Sequence, residues 1–236
     1  PIHLDVVTDS TNSVLARLHS PVNGTVTLAE YQSAGRGRRG RHWQSPFAGQ
    51  IILSHYWHYP EPAAAAALSI GLGLAAAEAL RQAGYSVRLK WPNDLYLDGR
   101  KLGGILVETH SGAQGIATIA GIGINLQPNP AWPEEVQAVA GAISDFGKPP
   151  RRAELAAAVL NHFEDVYLLL EQGKEPELLE QYRERLCCIN RPVTVISPAG
   201  RYEAECVGLD ENAHLLVKTA DGQVNALSSG EISIRL

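Results

Sequence analysis

Residues 2–7 read as a strand, and residues 25–31 alternate apolar with polar positions in a β-rich composition. Between them Asp9-Ser10-Thr11-Asn12 supplies helix-capping side chains, after which Val14, Leu15 and Leu18 recur at helical spacing. Pro21-Val22-Asn23-Gly24 marks the turn into the second strand. A third strand is expected over residues 50–57. A helix over residues 63–83 is closed by Gly84, and a short strand follows over residues 87–90. Asp98-Gly99 is a two-residue hairpin signal joining residues 95–97 to 100–102 and a strand over 105–109. Residues 115–125 form another strand, rich in Ile and Gly. Three prolines around Trp132 make a loop, residues 134–146 are short or partly helical, and Gly147-Lys148-Pro149-Pro150 breaks the pattern. Two amphipathic helices then cover residues 151–172 and 175–187. Many strands followed by late helices predict an α+β fold with a mixed sheet. From about residue 189 the texture changes to short strands at 193–196, 202–209, 214–219, 223–227 and 232–236, a small antiparallel barrel. The expected division is therefore 1–188 and 189–236, with no internal repeat.

Composition narrows the class. At 236 residues, with 45% hydrophobic and 19% charged residues, the chain is an ordinary globular protein long enough for a large domain and a small one. A pI near 5.9 argues against a dedicated nucleic-acid binder. Three cysteines, two of them adjacent, make neither a disulfide framework nor a metal spacing, which fits a reducing cytoplasm. The apolar run over residues 63–80 is interrupted by Ser69, Gly71, Gly73 and Glu78, so it reads as a buried helix rather than a membrane span. The chain starts at Pro1 and contains no Met, as a fragment would.

Against a net charge of -5, residues 35–43 place Arg36, Arg38, Arg39 and Arg41 among three glycines, followed by His42 and Trp43. The letters satisfy the dinucleotide G-x-G-x-x-G, but loop and strand follow where that fingerprint needs a helix. No Gly-Lys-Ser/Thr closes it as a Walker loop. Two readings stay open: a solvated basic loop, or a loop that orders over a nucleoside triphosphate or acyl phosphate.

Lys90-Trp91-Pro92-Asn93-Asp94 is the second informative stretch. Lys101 lies just past the Asp98-Gly99 turn, near the cross-strand position facing it. Taken alone, Lys101 beside Asp94 reads first as a structural ion pair. Gly103-Gly104 next to it brings backbone close to a ligand, and an Asp–Lys pair also suits phosphate or carboxylate chemistry. Ser10, Thr11 and Asn12 read as a helix cap that also suits a polar ligand, and Gly121 to Asn125 as a close-packed strand with a capping Asn.

Together and in this order, Asp9-Ser10-Thr11-Asn12, Glu30-Tyr31-Gln32, residues 35–43, Lys90-Trp91-Pro92-Asn93-Asp94, residues 99–108 and residues 121–125 resemble the motifs of biotin protein ligases. The similarity runs from residue 1 to residue 236, with residues 230–235 resembling the family's last strand. It implies a biotin/lipoyl ligase-like catalytic domain over 1–188 followed by a small SH3-like barrel over 189–236. It also implies a two-step reaction using ATP and Mg²⁺, in which biotin becomes biotinoyl-5′-AMP and passes to one lysine of a biotin carboxyl carrier protein. By motif position, Ser10, Thr11, Asn12 and Gln32 hold the biotin ureido ring. Arg36, Gly37 and Arg38 close over biotin and the phosphate, and Gly104 offers backbone. Lys101, Arg38 and Asp94 are the implied catalytic set, with Lys101 on carboxylate and phosphate oxygens and Asp94 organising Mg²⁺ or the incoming lysine. Arg36, Arg39, Arg41, Trp43, Asn93, Asn125 and Arg235 are implied on the ATP side. Residues 129–145 are expected over the adenine, with Trp132 as a lid. A weak or ligand-promoted homodimer is a further expectation. Some bacterial members carry an N-terminal winged helix-turn-helix and double as repressors. No such region lies in these residues, so DNA binding is not expected of this chain. The nearest rival is a lipoate ligase or octanoyltransferase on a related fold, and the arginine loop with Lys-Trp-Pro-Asn-Asp favours biotin.

Overall fold

The computed structural model describes residues 1–59, 65–112, 115–197, 200–228 and 231–234. Two sheets organise the chain. The first has seven strands in the order β1-β2-β3-β7-β6-β5-β4. These are β1 (Ile2–Thr8), β2 (Thr25–Gln32), β3 (Gln50–Tyr59), β4 (Arg88–Lys90), β5 (Asp94–Leu97), β6 (Arg100–Gly112) and β7 (Gly115–Asn125). β1 runs parallel to β2 because helix α1 (Thr11–Arg17) carries the chain over between them, and every other pairing is antiparallel. The Asp98-Gly99 turn has φ of 45° and 79° at its two residues, the left-handed pair that a tight hairpin of this twist needs. The two strand pieces expected after it are one continuous strand, β6.

β3 shows how the two faces of this sheet differ. Leu53 and His55 point to one face, where His55 stacks on Phe163 and meets Tyr167 edge-on. Both partners belong to α4 (Arg152–Glu171), which packs with α2 (Ala65–Gln82) and α5 (Glu175–Arg185) on that side. Gly71, which interrupts the apolar run of α2, has a packing reason: a Cβ there would come within 2.5 Å of Val166 Cγ1 of α4. Leu53, Leu68, Leu72, Leu80 and Phe163 are fully buried in this layer, each contributing about 1.5–3 kcal/mol of burial free energy. Ile52 and Ser54 of β3 point to the other face, where α1 lies, and that face holds the cavity described below.

The second sheet is the expected small antiparallel unit, with five strands in the order β11-β10-β9-β8-β12. They are β8 (Arg191–Ser197), β9 (Gly200–Leu209), β10 (Leu215–Lys218), β11 (Val224–Leu227) and β12 (Glu231–Ile234). Buried Trp91 donates from Nε1 to the Ala213 carbonyl at 3.0 Å, Arg183 donates to the Leu209 carbonyl, and Cys187 N–H donates to Leu89. The two sheets are thus fastened beside the Lys90–Asp94 stretch. Among the described residues no helix is long and apolar enough to cross a membrane.

The opening of α1 departs from expectation. Ser10 occupies the N-cap position with extended backbone, yet its side chain makes no capping bond. Asp9 fixes this corner instead. Its carboxylate accepts from Ser10 N–H at 2.8 Å and from Arg17 at 2.7 and 2.9 Å, and those bonds, Arg17 first, hold its pKa well below the usual carboxylate range. Ser10, Thr11 and Asn12 are left facing inward, all buried.

Candidate active site

A cavity of about 150 Å³ opens on the α1 face of the large sheet. One end is neutral and polar. Thr11 donates to Gln32 Oε1 from its backbone N–H at 2.8 Å and its hydroxyl lies 3.1 Å from the same oxygen. Ser54 Oγ lies 2.7 Å from Thr11 Oγ1 and donates to Asn12 Oδ1. Asn12 Nδ2 donates to Glu108 Oε2 at 2.6 Å. Thr11, Asn12, Gln32 and Ser54 are all buried, so the hydrogen bonds among them each fix a donor or acceptor direction, while the bond to half-buried Glu108 reaches toward the surface. Gly121 makes the close approach possible, because a Cβ there would fall 2.3 Å from Asn12 Oδ1.

The arginine loop folds over this end as a short flap. Its base is closed by Trp43 N–H to Gly35 O at 2.9 Å and Gly37 N–H to Arg41 O at 2.7 Å, with Arg36 and His42 bridged antiparallel. Arg39 and Gly40 at its tip take φ of 57° and 73°. Arg36 turns toward α1, donating to Ser13 Oγ and to both oxygens of Glu108 at 2.8 and 3.0 Å. Arg38 turns the other way, reaching Asn93 Oδ1 at 3.3 Å. Trp43 lies on a glycine floor, since a Cβ on Gly123 would sit 2.5 Å from its ring. Its Nε1 donates to Gln50 Oε1 at 3.0 Å.

The other end is cationic. Among the described lining residues Arg38, Arg39, Arg41, Lys90 and Lys101 stand here with one carboxylate, Asp94, while Arg36 is turned to Glu108 beside the neutral end. Lys101 Nζ lies 2.6 Å from Asp94 Oδ1, the cross-strand ion pair that the hairpin predicts. Gly104 sits against both, 3.3 Å from Asp94 Oδ1 and 3.7 Å from Lys101 Cε at its Cβ position. Asn93 donates from Nδ2 to Ile105 O at 2.7 Å, which aims its carbonyl at Arg38. Ile232 of β12 reaches the same cavity from the small sheet. Among the described residues cations outnumber carboxylates at this end, which attracts a strongly anionic ligand, and the neutral end suits an uncharged ring with both donors and acceptors.

Residues 4–125 match the biotin/lipoate A/B protein ligase family, and residues 188–235 match the biotin protein ligase C-terminal domain. The chain is 39% identical over 234 residues to the bifunctional ligase/repressor BirA of Escherichia coli, covering 97% of this chain and 72% of that one. It is 34% identical to the biotin–[acetyl-CoA-carboxylase] ligase of Mycobacterium tuberculosis, covering 97% and 88%. A solved biotin protein ligase from Aquifex aeolicus in complex with biotin and ATP superposes with a TM-score of 0.87 at 28% identity, covering 99% of this chain and 98% of that one. The chain belongs to the biotin protein ligase family.

Most of the residues expected in the site of this ligase line the one cavity. They are Ser10, Thr11, Asn12 and Gln32 at the neutral end, the loop residues Arg36, Gly37, Arg38, Arg39 and Arg41 with Trp43, and Asn93, Asp94, Lys101 and Gly104 at the other. Asn125 does not line it. It is buried behind Trp43, where Oδ1 accepts from Gln50 at 2.7 Å and Nδ2 donates to Gly141 O at 2.9 Å. Trp132 is also buried away from the cavity. The segment containing it instead pairs along β6: Lys101 N–H donates to Val139 O, and Gly141 N–H to Lys101 O. Arg235 lies outside the described residues. Ser54, Gln50 and Glu108, to which the motif reading gave no role, stand behind the lining residues and hold Asn12, Trp43 and Arg36. A lone hydroxyl in the apolar run Ile51-Ile52-Leu53-Ser54 is the signal for the first.

Among the described residues the donor set offers no dedicated protein cage for Mg²⁺. Among the described residues no three His, Cys, Asp or Glu side chains gather. Asp94, the one carboxylate among the described lining residues, already faces an ammonium. A divalent ion there would meet that charge and would take most of its ligands from the phosphates of a nucleotide.

Proposed function

We propose that this chain activates biotin with ATP to biotinoyl-5′-AMP and then transfers biotin to one lysine of a biotin carboxyl carrier protein. The observation that carries the reading is the division of a single cavity into a buried neutral hydrogen-bonding end and a cationic end that meet over Gly104, Gly121 and Gly123. A ureido ring is uncharged and needs donors and acceptors together, which Ser10, Thr11, Asn12 and Gln32 offer. In the first step a biotin carboxylate oxygen attacks the α-phosphorus of ATP, a new P–O bond forms, and the bond to the β-phosphate breaks to release pyrophosphate. Carboxylate and triphosphate repel each other, and Arg38 and Lys101 offset that repulsion where the negative charge builds up. Arg36, Gly37 and Arg38 cover the biotin end and exclude water from the anhydride. Arg39, Arg41, Trp43 and Asn93 are assigned to the nucleotide, with Arg235 joining them from the C-terminal domain. Asn125 acts behind them by fixing Gln50. In the second step the neutral lysine amine attacks the acyl carbon, AMP leaves, and the nitrogen loses a proton. Asp94, held by Lys101, orients that amine.

Mg²⁺ belongs to this reading as part of the nucleotide substrate, its oxygen ligands coming from the phosphates. Residues 1–188 form the catalytic domain and 189–236 a buttress that contributes Ile232. A ligand-promoted homodimer is consistent with β1, an edge strand of the described sheet whose Ile2, Leu4 and Val6 are exposed. Three free thiols support a cytoplasmic setting. ATP–pyrophosphate exchange tests the reading. Exchange dependent on biotin and on Mg²⁺, and absent with lipoate, is expected. Exchange with lipoate but not biotin overturns it in favour of a lipoate ligase.

A further inference from the structure

We propose that Glu108 is the positioning residue that couples recognition of the ureido ring to closure of the arginine loop. The inference rests on the reading of the cavity as a biotin site. An asparagine amide presents a carbonyl on one side and an NH₂ on the other, and its partners decide which way it faces. Asn12 is buried between Ser54 and Glu108. A carboxylate only accepts, so Glu108 holds Nδ2 toward itself and leaves Oδ1 toward Ser54. Glu108 therefore sets the polarity that Asn12 shows to the cavity. The same carboxylate receives Arg36 on both oxygens, while the other nitrogen of Arg36 reaches Ser13, the residue after Asn12 in α1. One acid thus ties the entry of the loop to a ligand-facing amide.

The ion pair alone is too exposed to hold a loop, with Arg36 at 42% and Glu108 at 32%. What makes it count is that Asn12 fixes the carboxylate from the buried side. A ligand that immobilises Asn12 immobilises Glu108, and Glu108 then grips Arg36 more firmly. In the absence of ligand the same contacts keep the loop partly folded down.

The test uses the full chain and trypsin, which cleaves after the loop's own arginines. Cleavage within residues 36–41 is followed by mass spectrometry with and without biotin and without ATP, alongside cleavage elsewhere as reference. In the wild type biotin slows loop cleavage. Glu108→Gln keeps the shape and an acceptor for Asn12 but loses the charge. It is expected to speed loop cleavage about fivefold, between the scale of an exposed pair and that of a charge-assisted hydrogen bond. It should also abolish most of the protection by biotin and flatten the acceleration that added salt causes in the wild type. Unchanged loop cleavage, or equal acceleration at the reference sites, overturns the proposal, the second outcome meaning a merely structural role. Arg36→Gln carries the same test from the loop side should Glu108→Gln fail to fold. Biotin-dependent exchange in the wild type is measured in parallel. Its absence sinks the functional reading, whereas its presence with unchanged loop cleavage in both variants sinks only the latch.

Discussion

Replacing Gly121 by alanine places one methyl group where the neutral end of the cavity has no room for it. The Cβ would fall 2.3 Å from Asn12 Oδ1, 3.1 Å from Asn12 Cγ and 3.3 Å from Ser54 Oγ. The backbone cannot give way, because Gly121 is paired on both sides, with Ser54 of β3 and Leu106 of β6 in the middle of the sheet. Asn12 must therefore turn out, and it loses its bonds to Ser54 and Glu108 together. Loss of the buried bond to Ser54 and of the half-buried, charge-assisted bond to Glu108 costs about 2–3 kcal/mol together. At 1.36 kcal/mol per factor of ten, that is roughly a 30- to 150-fold rise in KM for biotin. Pyrophosphate exchange at varied biotin measures it, and KM for ATP in the same assay is the internal reference, expected to change less than about threefold. A biotin KM within about twofold of wild type would refute the geometry at this end of the site.

Lys101→Ala should slow adenylation by on the order of a hundredfold or more, the loss expected on removing a group that stabilises developing charge; near-wild-type single-turnover formation of biotinoyl-5′-AMP would remove Lys101 from the assignment. Arg38→Gly should let the adenylate escape, seen as biotin appearing on bystander lysines of an added unrelated protein, whereas a variant that retains its intermediate like the wild type contradicts the loop as a cover. Burial against Phe163, Tyr167 and Trp57 lowers His55 to a pKa of about 4 from an ordinary 6.5. Because the folded state binds this proton less readily than the unfolded chain, the stability involved is fully present above about pH 6.5 and is lost as pH falls toward and through 4, by about 3 kcal/mol at most. Urea midpoints between pH 7 and 4 should therefore decline less steeply in His55→Gln than in wild type, and parallel curves would show that another group sets the acid limb.

Local chemistry made some parts of this molecule legible from sequence. The Asp98-Gly99 turn signalled a tight hairpin, whose register sets Lys101 opposite Tyr96 and Gly104 opposite Asp94, near enough for Lys101 to meet Asp94 diagonally. The glycines and arginines of the loop left two readings open, a solvated basic loop and a cover for an anion. What escaped depends on long-range packing. Whether Asn125 faces a ligand or a neighbour is decided by Gln50, 75 residues away in sequence, and by the carbonyl of Gly141. Ser10 had the letter of a cap, but Asp9 and Arg17 took over the corner and released it. Glu108 closes the motif over residues 99–108, and its letter carries no sign of the contacts with Asn12 and Arg36. Its role emerges only when β6 is placed beside α1. Gly71 looked like an interruption in a helix and is the place where two helices touch.

The hydrogen bonds behind the loop have a bearing on redesign. Trp43 is held by Gln50, Gln50 by Asn125, Asn125 by the carbonyl of Gly141, and the N–H of Gly141 by the carbonyl of Lys101. These links join the exit of the cover to the backbone of the lysine at the opposite end. An engineer who enlarges the cavity at Trp43, to admit a bulkier biotin or nucleotide analogue, also removes the donor to Gln50 Oε1 and leaves Gln50 held by Asn125 and the Gln44 carbonyl alone, at the head of a run that reaches Lys101. Substrate scope and reactivity are thus bound in one inherited unit, and libraries that vary positions 43, 50, 125 and 141 jointly should yield active variants where single-site libraries do not.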